Sequence, residues 1–256
     1  MGIRQKPTVP AKCFLFKPTR MRFVSILFLL LPVGSIAAFL PEPIVVSTDL
    51  TVTSDDVFRG IRVAQKSFQP TIEVSSGDLY LGFWGNFPTD AAQERRLNYY
   101  GGVGVEIPDF DFVELDTGLT LYHYPGSGRD RTWEFYLGAN FSFPNLPTVL
   151  ASVYYFYDFD LESHVGEGAV TYFYSLERIG IPGTLDFSVY GGVQGTSGSE
   201  VESYHYYGGA IALPFSVTAF SRLTATIGYG TAEKYTFGPG ERGKTLFGSL
   251  GYSTMF

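Results

Sequence analysis

Beyond Leu40 the chain alternates apolar and polar positions with period two, segment after segment. In one segment Leu79, Leu81, Phe83, Gly85 and Phe87 make one row, and Tyr80, Gly82, Trp84 and Asn86 the other. Val113, Leu115, Thr117, Leu119 and Leu121 alternate in the same way with Glu114, Asp116, Gly118, Thr120 and Tyr122. Segments 97–107, 132–143 and 185–194 repeat the pattern. Successive side chains of a strand point to opposite faces, so each segment predicts a strand with one apolar and one polar face. No window sustains a helical period. The pattern predicts twelve strands, near 48–59, 64–75, 78–87, 96–107, 110–124, 130–143, 148–159, 162–176, 184–195, 201–213, 217–229 and 244–256.

The connections carry a second rhythm. After even-numbered strands they are mostly tight: Ser76-Gly77, Pro108-Asp109, Pro144 to Pro147, Ile181-Pro182-Gly183 and Pro214-Phe215. After odd-numbered strands they are polar and usually longer: Thr89 to Arg95, Pro125 to Arg129, Thr196 to Glu200, and Thr231 to Gly243. Short turns on one rim and long loops on the other are the pattern of an outer-membrane barrel, with both termini on the periplasmic side. In lipid every backbone polar group must be paired within the sheet, so the sheet must close. The predicted fold is therefore all-β, a closed antiparallel transmembrane β-barrel of about 12 strands, its apolar face to lipid and its polar face to the lumen. Aromatics near strand ends (Phe87, Tyr124, Phe143, Phe159, Phe215 and Tyr229) are expected in the interfacial girdles. A secreted β-sandwich would alternate too, but its outer face normally carries many Lys, Glu and Thr.

Composition agrees. The 256 residues are 17% aromatic and only 17% charged, with 30 glycines, one cysteine and a net charge of -7. The apolar content excludes a disordered chain, the single cysteine excludes a disulfide scaffold, and a pI near 5.0 without a basic stripe disfavours nucleic acid as a partner.

The N-terminal segment differs from the rest. Arg4, Lys6, Lys12, Lys17, Arg20 and Arg22 precede a short apolar run, Phe23 to Leu31, and Ser35-Ile36-Ala37-Ala38 follows it. A positive flank, a short apolar core and small residues predict a secretory signal peptide over 1–38, with the barrel over 39–256. Met21 is an alternative start. Cys13 lies upstream of the apolar core and receives no role. Loss of the six bases leaves twelve against 25 acids, so the exported chain is more acidic than the whole.

Within the strands, Glu106, Glu114, Asp116, Glu134 and Asp186 fall on the polar faces. A charge facing lipid costs a few kcal/mol at mid-membrane, so these acids are expected to line the lumen, where they either favour cations or pair with Arg or Lys across the barrel and plug it. The strands hold too few bases for full pairing. Tyr100, Tyr122, Tyr136 and Tyr190 share those faces and are expected to narrow the lumen. Arg59, followed by Gly60, is expected at the top of the first strand, either as a lumen or loop charge that orders the first turn by pairing with Asp55 or Asp56 or as an ordinary rim arginine. His123, His164 and His205 fall near loop-side strand ends without a nucleophile elbow or metal-ligand spacing, so no catalytic residue, metal or cofactor is assigned. Gly238-Pro239-Gly240 is turn chemistry. The chain closes on an amphipathic strand in which Leu250, Tyr252 and Phe256 fit an assembly signal for the barrel-assembly machinery, although Thr254 stands where an apolar residue is more usual.

The first strand contains Ser54, Phe58, Arg59 and Gly60; Gln69-Pro70 comes next, and then Tyr80, Gly82 and Trp84. This run over 47–86 resembles the TorF-type porins, a bacterial outer-membrane family of unassigned substrate. Asp56 stands where that family usually has tyrosine. The resemblance implies a porin. The expected function is passive diffusion of small polar solutes or ions across the bacterial outer membrane. A closed structural or adhesive barrel, or a lipid-acting barrel enzyme, stands as the alternative. Oligomeric state is left open.

Overall fold

The computed structural model describes residues 43–126, 131–197, 203–233 and 244–256. The expected signal peptide and Gly238-Pro239-Gly240 lie outside the described residues.

Twelve strands succeed one another: β1 (Val45–Phe58), β2 (Ile61–Ser76), β3 (Leu79–Pro88), β4 (Arg96–Ile107), β5 (Phe110–His123), β6 (Arg131–Ser142), β7 (Val149–Asp158), β8 (Ser163–Ser175), β9 (Thr184–Thr196), β10 (Tyr204–Ser216), β11 (Ser221–Glu233) and β12 (Thr245–Met255). Each pairs with the next in sequence, and β12 pairs antiparallel with β1 from Ser47↔Met255 to Thr53↔Ser249. The sheet is a closed barrel without a free edge.

The polarity is inverted relative to a water-soluble barrel. Leu81, Leu137, Val153, Val189, Ile211 and Ile227 are exposed on the outer wall. Asn98, Thr120, Asp116 and Glu134 are buried on the inner one. With the period of two, this results from one choice of face per strand: either face can be turned outward, and only an apolar solvent rewards this one.

β1 begins and β12 ends at one rim, the terminal rim; the opposite rim is the loop rim. Three connections depart from expectation, one of them between β8 and β9, where a 3-10 helix (Leu176–Ile179) precedes Ile181-Pro182-Gly183. On the terminal rim the β10–β11 turn is Val217 to Phe220 rather than Pro214-Phe215. Pro214 remains in β10 opposite Thr224, two residues past the end of the β9 ladder at Ala212, so its missing N–H interrupts no bond there. The turn is closed instead by Val217 N–H donating to Ser221 O at 3.0 Å, with the Thr218 and Ser221 hydroxyls 2.7 Å apart. On the loop rim, β1 and β2 join through only two residues, Arg59 and Gly60, both with positive φ (49° and 76°). Positive φ at both central positions is the type I′ turn that matches strand twist, and Gly60 takes its position freely while Arg59 does not.

Candidate functional site

The inner wall is built from pairs of residues facing one another across adjacent strands. Gly82 faces Tyr100, Gly102 faces Tyr80, Gly118 faces Tyr136 and Gly138 faces Tyr154. Gly192 faces Tyr206, Gly208 faces Tyr190 and Gly228 faces Phe247. A Cβ at any of these glycines would lie 2.2–2.7 Å from the facing ring or its hydroxyl. Each ring therefore lies over the neighbouring strand's backbone, against the wall. The glycines make room for the aromatics, which explains why a chain rich in one is rich in the other.

At mid-height these phenols converge on one carboxylate. The Tyr80 hydroxyl donates to Asp116, and the Tyr154 hydroxyl donates to its second oxygen at 2.8 Å. The Tyr80 and Tyr136 hydroxyls are 2.7 Å apart, and Asn140 donates to the Tyr154 oxygen at 3.1 Å. Asp116 is 1% exposed. Side chains from β3, β5, β6 and β7 thus form one buried cluster along one side of the lumen.

Nearer the loop rim the β1–β2 hairpin tip turns inward. A Cβ on Gly60 would lie 2.3 Å from Thr231 O and 2.6 Å from Tyr206 Cβ, and Ile61 packs against the buried cluster of Tyr136, Tyr154, Phe156, Val165, Tyr204 and Tyr206. Since the wall neighbours of β1 are β2 and β12, these contacts run through the interior. Arg59 reaches β6 and β7 on the opposite wall. Its guanidinium lies 2.8 Å from the Glu134 carboxylate and 5.0 Å from the centre of the Phe156 ring. The rim pairing expected for Arg59 is thereby corrected: Asp55 lies 3.5 Å from Arg62, and Asp56 lies 3.3 Å from Arg96. A two-residue turn leaves Arg59 no rim loop to occupy, and its long side chain extends across the lumen.

A second charged group adjoins the first. The Arg96 guanidinium lies over the rings of Phe58 at 4.3 Å and Trp84 at 4.8 Å, so Phe58 is flanked by both arginines. Tyr122 donates to Glu134 at 2.8 Å, and Tyr206 donates to Glu167 at 2.6 Å. Tyr124, expected in a girdle, stacks on Tyr122 instead, and burial pushes its hydroxyl up to about 12. Phe143, Phe159 and Phe215 are exposed near strand ends.

Among the expected lumen acids, Glu134 lies in the loop half and is paired with Arg59. Asp116 lies at mid-height. Glu106 and Glu114 face each other near the terminal rim, and Asp186 accepts from Thr184 at 2.6 Å close to the same rim. The inner wall is packed toward the loop rim, where Asn98, Thr120, Thr132, Tyr122 and Glu134 are all 2% exposed or less. Toward the terminal rim the inward Thr51, Thr71, Glu73, Glu114 and Ser253 keep partial exposure.

The histidines lie at loop-side strand ends. His164 Nδ1 is 2.5 Å from the Tyr155 hydroxyl and Nε2 is 3.2 Å from Ser197 Oγ, an exposed contact tying β7 and β8 to the chain after β9. Among the described residues no group of three or more side chains could hold a metal. Leu250, Tyr252 and Phe256 are exposed on the outer wall, and Phe256 N–H donates to Val46 O at 2.8 Å.

The sequence groups Phe58, Arg59, Gly60, Tyr80, Gly82 and Trp84 in one motif; the structure places all six in the interior. Phe58, Arg59 and Gly60 form the hairpin tip. Tyr80 holds Asp116, Gly82 receives the Tyr100 ring, and Trp84 carries Arg96. Ser54 lies on the outer wall, its hydroxyl accepting from Gly248 N–H at 3.0 Å. A family model described as "Bacterial protein of unknown function (Gcw_chp)" matches residues 38–207, a span that includes all these positions. The chain belongs to that family. No curated protein matches it. Solved structures share its fold at low identity. The NanC porin is similar at a TM-score of 0.52 and 12% identity, covering 81% of this chain and 98% of its own. The KdgM porin gives 0.52 and 9%, covering 82% and 99%. An outer membrane channel from Pseudomonas putida F1 gives 0.50 and 12%, covering 84% and 96%.

Proposed function

We propose that this family member is an outer-membrane channel passing small polar solutes or ions by passive diffusion, as the TorF-type porins are expected to do. The observation that carries the reading is the inverted polarity of a closed barrel: an apolar wall outside and hydroxyls, amides and carboxylates inside. The fold likeness to porins supports it. No chemistry is required of the residues; the lumen supplies a polar path and selects among solutes by size and charge.

The arrangement favours cations. Arg59 and Arg96 sit against carboxylates in the loop half, while Glu73, Glu106, Glu114 and Asp186 lie in the terminal half with Arg222. A mouth in which acids outnumber bases raises the local concentration of cations. The terminal rim, with its short turns, is assigned to the periplasm. Outer-membrane lipid would cover the apolar wall, and Leu250, Tyr252 and Phe256 would serve the barrel-assembly machinery.

Proteoliposomes test this. Folded protein should admit monosaccharides and exclude large dextrans, and a salt gradient should give a cation-preferring reversal potential. Anion preference would overturn the acidic-mouth assignment. Absence of solute entry would favour a closed structural barrel, the second reading that the dense loop-half packing supports.

A further inference from the structure

We propose that the β1–β2 hairpin tip is a latch that sets the constriction of the lumen, held across the barrel by Arg59 and Glu134. This rests on the channel reading and specifies which residues limit passage through it. Four observations point to it. First, β1 and the strands bearing Glu134 and Phe156 stand five and six places apart in a ring of twelve, so Arg59 spans the lumen. Second, the tip is seated without slack: Gly60 abuts Thr231 and Tyr206, and the Val57 methyl lies 2.7 Å from where a Cβ on Gly230 would stand. Third, Arg59 is a non-glycine residue at φ 49°, a left-handed conformation that L residues with long side chains adopt rarely. A two-residue turn elsewhere on the rim would have no need of arginine there. Fourth, the two ends of the contact differ in kind. The Arg59 end is a turn with no ladder partner outside its own hairpin, held otherwise by side-chain packing, whereas Glu134 belongs to a strand paired on both sides and is also held by the Tyr122 hydroxyl. Loss of the ion pair would therefore free the turn and leave the wall in place.

The register contributes a hinge. The β1–β2 ladder shifts between Asp56 and Val57, three residues before the tip, and Lys66 on β2 also has positive φ. A bulge bends its strand and redirects the residues beyond it. The extra residue here is Val63 on β2, between Arg62 and Ala64, so the hairpin bends just before its tip, and Asp56, opposite Ala64, is held by Arg96. The movable segment is thus Val57 to Ile61, bounded by a fixed ion pair on the β1 side.

Single-channel recording on Arg59→Ala, Glu134→Gln and the exchanged pair Arg59→Glu/Glu134→Arg tests the latch, using only barrels whose heat-modifiable gel mobility shows them folded. The two single variants should conduct more than the parent, and the exchanged pair should return toward it. A silent parent with conducting single variants supports the latch equally. If the parent conducts, single variants that conduct as it does would overturn the latch and leave the channel reading intact. Ile61→Cys in a Cys13→Ser background gives a readout independent of conduction: the thiol should resist a membrane-impermeant maleimide in the parent and react when Arg59→Ala is added. If no variant conducts, increased labelling upholds the latch and discards the channel, whereas unchanged labelling overturns the latch.

Discussion

Arg59 and Glu134 are 75 residues apart in the chain and 2.8 Å apart in space. Nothing local to either announces the other. Asp55 and Asp56 stand close to Arg59 in sequence, and proximity along the chain favours them as partners. The ion pair arises only once twelve strands have closed and the first turn has folded inside. Taking two charges out of water is costly, and removing one partner leaves the other orphaned. Arg59→Ala should therefore lower unfolding free energy by about 3–5 kcal/mol. Arg59→Met/Glu134→Met should lose less, since no buried charge is left alone. Urea titration of the three proteins in one detergent checks this; a double variant weaker than the single would show that the pair itself is the main stabiliser of the tip.

At the scale of strands and turns, most of the architecture is legible in the sequence. Period-two alternation marks the strands and most of their outward faces, because burial on one side forces a strict period; it is least clean in β7 and β8, where Tyr154 to Tyr157 is aromatic on both faces. Where sequence and structure part, the reason is local. Pro214 has the chemistry of a turn, yet it lies past the β9 ladder and stays in β10. Tyr124 stands at a strand end, as a girdle residue would, while a stacking partner, Tyr122, draws it inward. The glycine–aromatic facing is invisible in the sequence for a different reason. It depends on register between strands, which alternation alone leaves open. It yields a sharp contrast. Gly118→Ala drives a Cβ to within 2.3 Å of the Tyr136 hydroxyl and 2.4 Å of Gly101 O, whereas Gly248→Ala meets nothing nearer than Thr226 O at 3.8 Å. The first should destabilise by roughly 1–3 kcal/mol, as overpacking does, and the second by well under that. Equal thermal shifts in the two would show that the Tyr136 ring moves aside freely.

For the whole molecule, the aromatic surplus and charge poverty have separate origins. Apolar residues outside meet lipid; tyrosines inside pave the wall over glycines and hold Asp116; the few strand charges divide between ion pairs near the loop rim and a group near the terminal rim in which acids outnumber Arg222. The inner wall is thereby graded, its side chains buried around the hairpin tip at one end and partly exposed at the other. That gradient predicts a narrow, cation-preferring pathway widened by release of the tip. The most direct measurement is single-channel conductance of the folded barrel in a planar bilayer, recorded for the parent and for Arg59→Ala in the same salt. Small discrete steps in the parent, larger in the variant, are the predicted result. A bilayer that stays silent with both proteins, each shown to be folded and inserted, would contradict the claim that this lumen conducts.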